Sequence, residues 1–150
     1  MGTVRVIVAD SMRADLYDLP EARGALQAMG TIDNELSGKH ERDLGRAAPG
    51  RMMGSGESRT ALQPRHTHKE HAIDQFARQL ARAVATQGRA PGVDGVVLVA
   101  APRFLALLKS HLSKTAAARI IGEVRRDLVD VPKLALRGHV HKVVPLPRPR

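Results

Sequence analysis

The chain has 150 residues, a length that suits one domain built round one core. It contains no cysteine, which excludes a disulfide framework, a thiol nucleophile and a thiolate metal site. Lys and Arg number 24 against 15 Asp and Glu, a formal net charge of +9, and such an excess favours polyanionic partners: RNA, DNA or an anionic membrane surface.

The apolar fraction, 43%, is ordinary for a globular protein, but the only aromatic residues are Tyr17, Phe76 and Phe104. The core must therefore come from Leu, Val, Ile and Ala. Nucleic-acid binding, if present, would rest on Lys and Arg contacts to phosphate rather than on base stacking. Arg5 interrupts the first apolar run and a turn follows, so a signal peptide is not expected. Val96 to Ala101 is the longest apolar run and is far too short to span a bilayer. The expected address is the cytoplasm.

Thr3 to Ala9 reads as a buried, valine-rich strand broken only by Arg5. Asp10-Ser11 is turn chemistry, and Arg13 to Leu19 continues as a second strand closed by Pro20 and Gly24. Ala25 to Asp33 is a weaker third strand. Short connections between the three predict an antiparallel meander.

Residues 37–66 differ in character. They hold Gly38, Gly45, Gly50, Gly54 and Gly56 together with Lys39, Arg42, Arg46, Arg51, Arg59 and Arg65, and their few apolar residues follow no period. Such a segment buries too little to offset its ordering entropy, so a long flexible basic loop is expected. Thr67 with Glu70 then forms a capping box, and Ile73, Phe76, Ala77, Leu80 and Val84 share one face of a helix. Gly88 is placed for a left-handed C-terminal turn.

Gly95 to Ala101 has the continuous apolar character of a central strand covered on both faces. Pro102 suits the first turn of a helix whose stripe is Phe104, Leu107, Leu108 and Leu112. Arg119 to Val124 reads as the last strand. Beyond Asp130 there are five Lys/Arg, no acid, and Pro145, Pro147 and Pro149, a composition that favours an extended polyproline-like tail. The predicted order is β-β-β-loop-α-β-α-β: an α/β (α+β) fold in which a mixed sheet carries helices packed on it. The domain would span residues 1–130, with the basic loop at 37–66 inside it and the basic, proline-containing tail at 131–150.

Several stretches resemble the bacterial host-attachment protein family. They are Val6-Ile7-Val8-Ala9-Asp10 with Arg13-Ala14, His68-Lys69-Glu70-His71 leading to Phe76-Ala77-Arg78, and Leu98-Val99-Ala100-Ala101-Pro102-Arg103-Phe104-Leu105. Leu112-Ser113-Lys114 and Gly122-Glu123-Val124-Arg125-Arg126-Asp127-Leu128 continue the match. The Ala-Ala-Pro-Arg-Phe-Leu segment is the most specific. The resemblance implies a bacterial protein linked to attachment to host cells, which is a phenotype rather than a chemistry. The element order is also similar to the middle domain of archaeal and eukaryotic peptide-chain release factors. That similarity implies a ribonuclease-H-like mixed sheet and a ribosomal setting. Where that domain carries Gly-Gly-Gln, this chain has Gly54-Ser55-Gly56-Glu57-Ser58; its one loop glutamine, Gln63, has no glycine before it.

The residues with candidate chemistry fall into three groups. Arg51, Gly54, Ser55, Gly56, Arg59 and Arg65 would present backbone amides and positive charge to phosphates, but lack the Gly-Lys-Ser/Thr ending of a nucleotide-cradling loop. Arg103 stands just after the central strand at a helix N-terminus, a common anion site in open α/β sheets. His66, His68 and His71, and separately Asp10 with Asp127 and Asp130 as companions, are the nearest approach to metal ligands; a metal needs three or four converging donors, and nothing in the sequence sets their geometry. Asp10 reads first as a turn former.

No catalytic residue and no cofactor is expected. The favoured reading is a non-enzymatic basic module that binds RNA or the ribosome and affects attachment indirectly. The alternatives are a metal-dependent nuclease or RNA-ester hydrolase, and a protein-protein or cell-surface adhesion module.

Overall fold

The computed structural model describes residues 2–20, 24–35 and 55–144, the stretch 55–67 by its backbone alone. Three strands, β1 (Thr3–Ala9), β2 (Arg13–Leu19) and β3 (Gln27–Asp33), form the antiparallel meander. Then come α1 (Ser55–Gly88), β4 (Val93–Val99), α2 (Pro102–Ser110), α3 (Lys114–Ala118), β5 (Ile120–Val124) and α4 (Lys133–Val143). β1 pairs parallel with β4, and β4 parallel with β5, giving one five-stranded mixed sheet in the order β3-β2-β1-β4-β5.

The two central strands explain the fold. β1 and β4 are rich in valine, which fits a pleated surface, and their side chains alternate between faces. Ile7, Ala9, Val96, Leu98 and Ala100 point to one face, where Phe76, Leu80 and Val84 of α1 and Phe104, Leu105 and Leu108 of α2 cover them. Val4, Val6, Val8, Val97 and Val99 point to the other, under Leu128, Val129, Leu136, Val140 and Val144. Both faces need cover because both are apolar. The rings of Phe76 and Phe104 meet at 6.2 Å in a tilted pair that joins α1 to α2.

Three expectations are corrected. The helix expected at Thr67 begins at Ser55, so Ser55, Gly56, Arg59 and Arg65 lie in helix rather than loop. Once the packed turns after Ala72 have nucleated it, each further residue costs little, and Glu57, Arg59, Ala61, Leu62 and Gln63 are good helix formers. Pro64 lies within α1 and deprives it of one backbone donor. The expectation of flexibility for 37–54 falls outside the described residues.

The expected extended tail is instead α4 over Lys133–Val143. Leu136, Val140 and Val144 recur at helical spacing and are buried, a stripe that the basic composition and the terminal prolines obscured. Residues 145–150 lie outside the described residues.

Gly88 does not take the left-handed conformation, since Gly30 and Gly92 are the glycines with positive φ among the described residues. Its reason is steric. A Cβ there would fall 2.9 Å from that of Arg119. α3 is an unpredicted turn of helix, started by Ser113, whose hydroxyl accepts from the Ala116 amide at 3.1 Å.

Candidate anion-binding end of the sheet

Parallel register brings the ends of β1, β4 and β5 to one level, since Val8 pairs with Val99 and Val99 with Val124. The Ala100 amide donates to the Val124 carbonyl at 3.0 Å and extends the alignment by one residue. The three segments that follow, starting at Asp10, Ala101 and Arg125, therefore lie side by side.

At the first, Asp10 is consumed by the turn. Its Oδ1 accepts from the Met12 amide at 2.8 Å and the Arg13 amide at 2.9 Å. Arg13 in turn donates to Asp130 at 3.2 Å, tying the β1–β2 turn to the segment after β5. Asp127 accepts from the Val129 amide at 3.5 Å, again within its own turn.

At the second, Ala101 caps α2 without a side-chain hydrogen bond, Pro102 occupies the first turn, and no acid stands there. The unpaired amides and the helix dipole favour an anion at such an end. Arg103 is exposed beside it and has no ion-pair partner among the described residues. At the third, Arg125 and Arg126 are exposed. Arg125 reaches Glu123 at 4.0 Å, and Arg126 has no acidic partner among the described residues.

Asn34 builds the border of this end. It is the buried polar residue among those described, and its Nδ2 donates to the Ser11 carbonyl at 2.9 Å and the Ala72 carbonyl at 3.3 Å. Its backbone amide donates to the Met12 carbonyl at 2.8 Å. One side chain thus ties the β1–β2 turn, the exit of β3 and the first buried turn of α1. Ser55, Gly56, Arg59 and Arg65 precede that point on α1; Arg51 and Gly54 lie outside the described residues. Nothing in the sequence periodicity marked Asn34, because its bonds are long-range.

The metal candidates do not converge. His68 and His71 are exposed on α1, and among the described residues no group of three His, Asp or Glu could hold an ion. That set includes Asp10, Asp127 and Asp130. The side chain of His66 lies outside the described residues. A different cluster does form: Asp74 binds His111 Nε2 at 2.8 Å and Arg78 Nε at 2.9 Å. The Arg78 hydrogen bond, and after it that of His111, holds the Asp74 carboxyl below the ordinary carboxylate range. The cluster joins α1 to the end of α2.

Charge is unevenly placed. Residues 101–150 carry eleven Lys/Arg against three Asp/Glu, whereas 37–66 carry six against three. The final third of the chain is thus more basic than the glycine-rich segment.

Among the described residues no helix is long and apolar enough to cross a membrane. No curated protein matches the chain. The family described as "Protein required for attachment to host cells" matches residues 5–140, from within β1 to within α4, and the chain belongs to this host-attachment family.

Proposed function

We propose that this member of the host-attachment family is a non-enzymatic module that holds RNA, ribosomal RNA included, through its phosphates, and that its part in attachment is indirect. The observation that carries the reading is the imbalance at the sheet end. Asp10 is spent on turn amides and Asp130 on Arg13, while Arg103 and Arg126 keep no acidic partner among the described residues. Arg103 stands beside the uncapped amides of α2, so charge and hydrogen-bond donors coincide there.

Arg51, Arg59 and Arg65 are further candidates for phosphate contact: Arg59 and Arg65 belong to the first part of α1, and Arg51 lies outside the described residues. Contacts of this kind neutralise phosphate and release counterions, so the binding is steeply salt-dependent and weakly sequence-specific. The ribosomal setting is inferred from the resemblance in element order to release-factor middle domains, for which this chain offers three strands before its first long helix.

Recovery of the tagged protein from native cells, with and without ribonuclease, tests the reading. Ribosomal RNA and proteins are expected to co-purify and to be lost after ribonuclease. A partner that is protein alone and withstands ribonuclease would favour an adhesion module instead.

A further inference from the structure

The sheet has two edge strands, β3 and β5. Along β5 runs a groove of about 870 Å³, walled on one side by the strand and the Arg125 and Arg126 that follow it, and on the other by His139, Lys142 and Val143 of α4. Its base is tight at Gly122, where a Cβ would fall 2.7 Å from the Val143 carbonyl oxygen. Among the described residues no strand pairs with the outer side of β5. An edge of this kind presents alternating amide and carbonyl groups, a template for another strand.

The groove is also basic. Arg125, Arg126 and Lys142 line it, and its acid, Glu123, is matched by Lys109 at 2.8 Å. We propose that this groove takes an extended acidic peptide of another protein, added to the sheet as a strand beside β5. This goes beyond the RNA reading and does not depend on it.

The chemistry selects the occupant. Phosphates accept hydrogen bonds but do not donate them, so the phosphates of a nucleic acid leave the outer carbonyls of β5 unmatched, whereas a peptide backbone offers both partners at the spacing of a strand. None of Tyr17, Phe76 and Phe104 lines the groove, so among its described lining residues the one aromatic ring offered to a base is the imidazole of His139. A second copy is disfavoured by charge. Pairing two β5 edges would bring two sets of Arg125, Arg126 and Lys142 together, and like charges brought close oppose the contact.

The test uses the full chain and a short fluorescein-labelled peptide alternating Glu with Val, followed by anisotropy. Binding is expected, with slower amide exchange across Ile120–Val124. Arg125→Glu with Lys142→Glu should weaken it about tenfold or more, at unchanged melting temperature because both residues are exposed. The same peptide methylated on alternate backbone nitrogens should not bind.

Equal binding of the methylated peptide would overturn strand addition, and absence of binding would overturn the site. Oligouridine that displaces the peptide and protects the same amides would give the groove to nucleic acid. Sedimentation as a dimer with these amides already protected would give it to a second copy. RNA binding that survives Lys142→Glu alone, while peptide binding is weakened, would separate this groove from the Arg103 surface.

Discussion

The guanidinium of Arg119 donates to the Gly88 carbonyl and to the Val93 carbonyl, each at 2.7 Å, so one side chain joins the end of α1, the start of β4 and the start of β5. These carbonyls lie where chain segments distant in sequence meet. Arg119→Ala removes two charge-assisted bonds and should lower stability by about 1.5–3 kcal/mol in urea unfolding. Gly88→Ala should also destabilise, by about 1–3 kcal/mol, because its Cβ would crowd Arg119. A neutral or stabilised Gly88→Ala protein would contradict the packing described.

The strands were legible in the sequence because they carry their signal locally: valine runs in β1 and β4, the short turn before β2, and the Ile120-Ile121 pair of β5. α2 was legible from Pro102 and the apolar stripe that follows. α4 was not, since a stripe at Leu136, Val140 and Val144 lies among basic residues and before prolines, and composition outweighed period. The early start of α1 was missed because the residues before Thr67 have no amphipathic face. The position of Arg103, in the first turn of α2 after the central strand, was legible from the same signals as that helix. Asn34 and Arg119 escaped because their partners are distant along the chain.

Asn34→Ala leaves the Ser11 and Ala72 carbonyls without this donor in a buried setting. A loss of about 1–3 kcal/mol is expected, with faster amide exchange in the β1–β2 turn and at the first buried turn of α1. Unchanged exchange at either place would show that Asn34 does not couple them.

Asp10→Ala removes the acceptor for two turn amides and should cost about 1 kcal/mol. Incubation with RNA and Mg²⁺ should reveal no cleavage that depends on this residue. Cleavage by the parent protein that disappears in the variant would replace the binding reading with a nuclease.

Asp74 should titrate below its ordinary value of 3.8. Because its folded value is depressed, its contribution to stability is fully present above the unfolded value and is lost as pH falls through the folded one. Carboxyl chemical shifts followed on acidification check this. Arg78→Ala should bring the titration back toward the ordinary range more than His111→Ala does, because the Arg78 bond is the larger cause. The reverse order would reassign the main partner of Asp74.

Filter binding of single-stranded RNA over a series of salt concentrations tests the proposed phosphate-binding surface most directly. The parent protein, Arg51→Ala/Arg59→Ala/Arg65→Ala and Arg103→Ala/Arg126→Ala are compared, each beside a thermal melt. Every lost phosphate contact should flatten the plot of log affinity against log salt by about 0.7, so the triple variant should lose about two units of slope and the double variant about 1.4. Arg103 and Arg126 are exposed, and the double variant should stay within about 0.5 kcal/mol of the parent in stability. Weaker binding with a flatter slope in both variants, at unchanged melting temperature, is the predicted result. Parent-like affinity and slope in the folded double variant would contradict the account and remove this end of the sheet from RNA binding.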